Sequence, residues 1–398
     1  MDATARLAAA VPANVRDVCA RLAEAGYQAV TVGGAVRDVL LGREPGDWDV
    51  ATSAHPDEVL RLFRHTIPTG LQHGTVTIVT GKGVDSHVEV TTYRGEGAYT
   101  DARRPDSVVF GVPLQEDLAR RDLTVNAIAY DVAGNAMFDP FAGTADLEAR
   151  LLRAVGVAVE RFTEDGLRVM RAVRFAAQLE FALEAGTEAA ISPALPSLSK
   201  VSRERVSDEL RKLLSAARPS LGLVLAKRTR ILDNILPGDV ADRLELLRPD
   251  EVAPELRLAA LFERVEDRKR TNDLLRALKF SNAEADQAAA LGQARRELLA
   301  THEVVGARRV MASIGRERSP GLAALVDGEL RARVLASLAA NEPLGLKELA
   351  VTGNDLLQAG FAAGRALGDL LAKLLDRVLV DPSLNTRDQL LALAKQLA

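Results

Sequence analysis

The sequence predicts an α+β protein in which a β-rich head is followed by a long, all-helical remainder. Three observations carry this expectation. Strand-like runs with β-branched residues fall at 27–32, 47–51, 74–80, 87–93 and 124–132, all early in the chain. Beyond about residue 151 the apolar residues repeat at helical spacing, punctuated by Pro193, Pro196, Pro219, Pro237, Pro249 and Pro320. Aromatic residues make up 4% of the 398-residue chain while Leu, Ala and Arg abound, which favours helix over sheet. A chain of this length exceeds one ordinary core. The expected division is a head over 1–150, a helical neck over 151–200, a body over 201–285 and a tail over 286–398.

In order, 11–25 predicts a helix that stops at Gly26, a residue suited to a left-handed cap. Residues 27–32 form a strand that breaks at Gly33-Gly34, and a second helix runs on through Leu41. Strands follow at 47–51, 74–80 and 87–93. Segment 93–113 is rich in Gly, Asp, Arg and Pro and predicts a long loop, of the kind that is functional or disordered within a compact domain. A strand at 124–132 and a turn at Gly134-Asn135 close the β-rich part. Helices are then predicted at 161–179, 203–217, 254–278 and 282–300, with no internal repeat.

Composition excludes several classes. Cys19 is the one cysteine, so there is no internal disulfide and no cysteine-based zinc cluster. The histidines, His55, His65, His73, His87 and His302, form no HExxH pair. An early acid and no long apolar run at the N-terminus do not read as a signal peptide, and no stretch reaches membrane-spanning length. The expected location is the cytoplasm, with no membrane partner. The net charge of −4 does not favour nucleic acid, although a basic groove can coexist with an acidic surface.

Asp47-Trp48-Asp49 is the triplet richest in chemical information. Alternate side chains of a strand share a face, so Asp47 and Asp49 point together with Trp48 opposed. Adjacent carboxylates repel unless a cation sits between them, which makes a divalent-metal site for phosphate chemistry the first expectation. The triplet follows Gly33-Gly34, where bare backbone and free helix N–H groups let a phosphate approach closely. Arg37, one turn into the helix, adds a forked donor. Alone, paired glycines make ordinary turns and an isolated Asp-x-Asp is solvated and passive. Glu89, in a neighbouring strand-like run, completes a set of three carboxylates suited to a two-metal centre. Asp85, just before that strand, competes for the third position.

Arg120 and Arg121 can bind a triphosphate, and Asp122 and Asn126 can hydrogen-bond a ribose hydroxyl; the alternative is an exposed charged turn. Asp165 and Arg168, three residues apart, are expected on one helix face, presenting an acceptor beside a donor. That pair suits the Watson–Crick edges of cytosine and adenine. Uracil and guanine would set a carbonyl against Asp165 and leave buried acceptors unpaired. Arg171 and Arg174 continue the row. An intrahelical ion-pair ladder is the commoner use of such spacing, but few acids match these arginines.

Together these segments resemble the class II tRNA nucleotidyltransferase and bacterial poly(A) polymerase family. The matching pieces are 33–38, 47–52, 120–127, Asp139-Pro140 with Asp146-Leu147, 161–165 through Arg168, Arg171 and Arg174-Phe175, and 201–205. They occur in family order over about the first half of the chain. The resemblance implies a polymerase-β-like nucleotidyltransferase head followed by helical neck, body and tail. It implies Mg²⁺ as cofactor, with Asp47 and Asp49 as ligands and Glu89 as the third carboxylate. Gly34, Arg37 and Arg121 would hold the triphosphate, and Asp122 and Asn126 the ribose. Asp165 and Arg168 would act as a protein template, with Arg171 and Arg174 supporting the nucleotide site.

The implied substrates are CTP and ATP, and the partner is the 3′ end of tRNA, held mainly through phosphate contacts. Residues 68–77 look like the CCA-adding branch and lack the basic Gly-Arg-Arg-Phe-type run of the poly(A) branch. The loop at 96–105, shortened in CC-only relatives, is complete here. Full CCA addition is therefore expected, with A-only addition or a poly(A) polymerase as alternatives and a non-catalytic tRNA-binding protein as a further one. Histidines of a C-terminal HD phosphohydrolase domain are missing. One departure is Gly166, where the family usually has proline, which is expected to loosen the start of the templating helix.

Overall fold

A computed structural model describes residues 2–83, 86–96, 108–236, 253–262, 265, 267–301 and 303–397. The chain divides into two compact units, Met1–Ile235 and Leu236–Ala398, each described here by itself.

The first unit opens with two helices, α1 (Ala3–Ala10) and α2 (Ala13–Glu24), where the sequence predicts one from residue 11. Pro12 separates them, held extended at φ −64° and ψ 155° before the first turn of α2. Then come β1 (Ala29–Val32), α3 (Gly34–Leu40), β2 (Asp49–Thr52), α4 (Pro56–Leu62), β3 (Thr66–Gly70), β4 (Thr75–Val79) and β5 (His87–Thr92). The predicted loop at 93–113 begins and ends as a small hairpin, β6 (Arg94–Glu96) paired with β7 (Val108–Phe110). The loop expected to matter at 96–105 lies, apart from Glu96, outside the described residues, and so does Asp85. Next are α5 (Leu114–Ala119), β8 (Ala129–Asp131) and β9 (Ala136–Phe138). Where a strand was expected from 124, a 3-10 turn occupies Thr124–Asn126, tied down by the side chains of Thr124 to Asp146 and of Asn126 to Asp122.

The main sheet has the order β3-β4-β5-β2-β1-β8-β9. Only the β2–β5 pair is parallel, and its register sets Asp49 opposite Glu89; on the other side Asp49 faces Val32 of β1. Asp49 therefore sits beside the chain just as it leaves β1 for the Gly33-Gly34 turn. Val30, Val32, Ala51, Leu118, Ala127 and Ala129 pack into one core cluster that fixes this sheet against α5.

The helical part of the first unit comprises α6 (Gly143–Glu148), α7 (Ala158–Glu164), α8 (Leu167–Leu179), α9 (Ala185–Ala189), α10 (Ile191–Leu198), α11 (Arg203–Leu214), α12 (Pro219–Arg228) and α13 (Ile231–Ile235). A two-residue parallel pair, β10 (Leu151–Leu152) with β11 (Ala182–Leu183), is too short to read from sequence. The helix expected over 161–179 is interrupted at Asp165, which is extended at φ −130° and ψ 104°. Helix α8 is buried along most of its length and packs on α10, α11 and α12.

In the second unit the helix predicted over 254–278 is divided into Pro254–Leu261 and Arg268–Ala277. Asn282–Ala300 matches the predicted span, and Ser281 with Glu284 closes a capping box at its start. A separate leucine-rich cluster including Leu356, Leu370, Leu374, Val378 and Leu390 forms the core of its last part. Among the described residues no helix is long and apolar enough to cross a membrane.

Candidate active site

A cavity of about 750 Å³ lies in the first unit, where the Gly33-Gly34 turn, the start of β2 and helix α8 meet. It is lined by Gly34, Arg37, Asp47, Asp49, Arg121, Asp122, Asn126, Asp165, Arg168, Arg171 and Arg174. Glu89 is not among the lining residues; its exposed side chain stands one strand away, opposite Asp49 in the ladder.

Trp48 is buried at 8% exposure, while Asp47 and Asp49 both reach the cavity. Asp47 precedes the ladder, which begins at Asp49, so the strand geometry expected for both holds only for the second. Burial pushes the Asp49 carboxyl up to about 6, Glu89 and Asp47 push the same way, and Arg121 opposes them. A cation beside this acidic pair would relieve that cost, and carboxylate oxygens without sulfur or imidazole suit a hard divalent ion. Among the described residues no group of three His, Cys, Asp or Glu side chains is gathered as a metal cage. The donors present thus fit a hard divalent cation that Asp47 and Asp49 would hold.

On the adjoining wall, Gly33 turns with φ +79°, and a Cβ there would lie 2.9 Å from Nη1 of Arg121. The positive φ calls for glycine, and any side chain there would also push the tip of Arg121 aside. That Nη1 also donates to the Asn126 carbonyl at 3.3 Å. Arg37 donates through Nη1 to Oδ1 of Asn126 (2.7 Å) and through Nε to Asp38 (2.9 Å). Asn126 Nδ2 donates to Asp122 Oδ1 at 3.1 Å, and Arg171 Nε to Asp122 Oδ2 at 2.7 Å. The result is one buried network from α3 through the 3-10 turn to α8. Burial alone would raise the Asp122 carboxyl, but the Arg171 guanidinium and the Asn126 amide outweigh it and hold it well below the usual carboxylate range.

Asp122→Ala is expected to cost about 1–3 kcal/mol of folding stability, because it leaves the Asn126 amide without its acceptor and removes the partner of Arg171, whose side chain is 34% exposed and still reaches water. Chemical denaturation of both proteins measures this. Since the folded carboxyl titrates below its unfolded value, the contribution is present above about pH 4 and fades as acid protonates the group. The gap between parent and variant should therefore shrink on acidification. An equal gap at neutral and strongly acidic pH would show that charge is not its source.

The third wall differs from the sequence expectation. Asp165 is not on the helix with Arg168; it lies in the extended break before α8. Its Oδ1 accepts from the Leu167 N–H (3.0 Å) and its Oδ2 from Nη2 of Arg205 (2.8 Å). Arg168 instead donates to Glu164 Oε2 (2.7 Å) and to the carbonyls of Arg161 and Arg120 (3.0 Å each). Acceptor and donor thus reach the same cavity, each braced by its own partners. Arg174 donates to Glu209 Oε2 at 2.6 Å, and the Phe175 ring lies against the guanidiniums of Arg174, Arg37 and Arg171 at 4.0, 5.2 and 5.4 Å. Gly166 is not loose. A Cβ there would lie 2.3 Å from Leu198 N and 2.3 Å from Ser197 C, so the break packs tightly on the end of α10.

Four residues of this constellation were absent from the predicted set. Glu164 and Asp117 were legible, since they stand at i,i+4 to Arg168 and at i,i+3 and i,i+4 to Arg120 and Arg121. Arg205 and Glu209 come from α11, and no local spacing connects that helix to the cavity.

Residues 29–153 match the family described as "Poly A polymerase head domain", and residues 180–240 match "Probable RNA and SrmB- binding site of polymerase A". The chain is 38% identical over 388 residues to the CCA-adding enzyme of Lactiplantibacillus plantarum, covering 94% of this chain and 93% of that one. It is 41% identical over 370 residues to the CCA-adding enzyme of Geobacillus kaustophilus, covering 89% and 88%. The crystal structure of the Bacillus stearothermophilus CCA-adding enzyme in complex with CTP superposes with a TM-score of 0.77 at 35% identity over 96% of each chain. The Thermotoga maritima CCA-adding enzyme complexed with tRNA-CCA shares the fold, with a TM-score of 0.73 at 18% identity over 100% of this chain and 98% of that one. Likeness at this level, spanning nearly the full length of both chains, places the protein in the CCA-adding enzyme family of nucleotidyltransferases.

Proposed function

We propose that this chain adds or repairs the 3′-terminal CCA of tRNA, using CTP and ATP, by metal-dependent nucleotidyl transfer without a nucleic-acid template. The observation that supports this most is the meeting, in one cavity, of an acidic pair, a buried arginine network and a base-sized acceptor–donor wall. Asp47 and Asp49 would hold Mg²⁺, with Glu89, one strand away opposite Asp49, as a third carboxylate that adds negative charge behind the pair. When bound, the ion neutralises charge developing on the attacking and leaving oxygens.

The protein's own side chains do the rest. Gly34 leaves backbone room for the phosphates, and Arg37 and Arg121 bind them. Asp122 and Asn126 hold the ribose, which their mutual hydrogen bond orients in advance. Arg171 and Arg174, stacked about Phe175, support the nucleotide from α8. Asp165 accepts the exocyclic amino group of cytosine or adenine while Arg168 donates to the ring acceptor, so the protein reads the base itself. The tRNA 3′-hydroxyl attacks the α-phosphate in line and pyrophosphate departs. In this reading 1–150 is the catalytic head, 151–200 the neck, 201–285 the body and 286–398 a tail that grips tRNA phosphates, and the enzyme works in the cytoplasm.

The test is product size. With tRNA ending at its discriminator base, extension by three nucleotides is expected only when CTP and ATP are both present. Addition of one nucleotide from ATP to a CC-ended tRNA, with no use of CTP, would make this an A-adding enzyme. Long adenosine tails would make it a poly(A) polymerase, and tRNA binding without turnover a non-catalytic binder.

A further inference from the structure

Asp117 stands behind the cavity wall and has no role in the reading above. It lies on α5 with its side chain 1% exposed. Its Oδ1 accepts from Nε and Nη2 of Arg120 (3.0 and 2.8 Å) and from the backbone N–H of Arg94 (3.2 Å), the first residue of β6. Its Oδ2 is buried without a hydrogen-bond partner, 3.9 Å from Nη2 of Arg121. Burying a carboxylate with one oxygen unsatisfied is expensive, and what offsets it is the pair of adjacent guanidiniums it separates. Arg121 needs that counter-charge. It is pressed over Gly33, it makes one hydrogen bond to the Asn126 carbonyl, and its own Nε is buried without a partner.

We propose that Asp117 is a positioning residue for the triphosphate: it holds Arg121 over the Gly33 turn, so that the guanidinium is in place before the nucleotide arrives. The idea rests on the reading of Arg121 as a phosphate-binding residue. A preset fork loses less freedom on binding than one that must swing into place, and the benefit is confined to ligands that carry the phosphate chain.

Asp117→Asn keeps the shape and an acceptor for the Arg94 N–H but removes the charge. Inorganic tripolyphosphate serves as a probe with no base and no sugar. In the variant its inhibition constant, and the KM for CTP and ATP alike, should rise about tenfold, while kcat and the preference for CTP over UTP stay near parental. A merely structural role would lower kcat and melting temperature together without singling out the phosphate chain. Arg121→Met is the control. If that change leaves tripolyphosphate inhibition unaltered, the reading of Arg121 is wrong. If it weakens inhibition while a folded Asp117→Asn protein behaves as the parent, the present proposal alone is overturned. Should the asparagine variant lack a melting transition, Asp117→Glu displaces the carboxylate by one methylene, and a parental inhibition constant there overturns it equally.

Discussion

Asp49→Ala is expected to abolish nucleotide addition, with turnover falling by roughly three decades or more, while tRNA is still bound. A metal centre in phosphoryl transfer contributes several kcal/mol to the barrier, and each 1.4 kcal/mol is tenfold. Asp47→Ala should behave likewise. The two substitutions differ from ordinary core damage in a measurable way. Burial and the neighbouring Asp47 and Glu89 carboxylates make ionised Asp49 unfavourable in the metal-free fold, so its carboxyl titrates near 6. Removing it should leave the metal-free protein no less stable than the parent. Single-turnover incorporation with saturating Mg²⁺, beside thermal melts in chelator, measures both. Near-parental turnover in either variant would remove the metal assignment, and a marked loss of metal-free stability would mean that the acids serve packing.

The second large effect is on nucleotide choice. Asp165→Ala should reduce the preference for CTP over UTP by about a hundredfold or more, because rejection by a site built to accept a hydrogen bond rests on groups left unpaired. The structure adds a direction to this. Arg205 donates to Asp165 at 2.8 Å, so removing the carboxylate frees a cation in the cavity wall where the base is proposed to lie. A uracil carbonyl could then accept from Arg205, and misincorporation of UTP should rise in absolute terms. Comparing kcat/KM for the four nucleotides decides it. Unchanged discrimination in a folded variant would take the reading role away from Asp165.

Much of the site was legible because its parts are local in sequence. The Gly33-Gly34 turn, the Asp-x-Asp triplet and the arginine row on α8 each announce themselves within a few residues, and β1 and β2 are neighbours in the ladder. What was not legible depends on partners supplied from far along the chain. The spacing of Asp165 and Arg168 suggested a joined pair on one helix, yet Arg205 from α11 takes Asp165, which leaves Arg168 to the nearby Glu164. The helix over 161–179 looked continuous because Phe162 before the break and Val169 and Val173 after it stand at helical spacing, and periodicity does not register one extended residue. Likewise 124–132 read as a strand from its composition, but Asp122, Asn126 and Asp146 draw its first half into a turn. In the second unit, the helix over 282–300, whose start carries the Ser281–Glu284 capping box, was bounded correctly at both ends.

The bare backbone of residue 166 has a consequence for fidelity. With α10 seated directly on main-chain atoms, the spacing between that helix and the Asp165 carboxylate proposed to read the base is set with no intervening cushion. Even a methyl group would act as a wedge. Such a change would surface as errors in the letter chosen before it surfaced as slower synthesis.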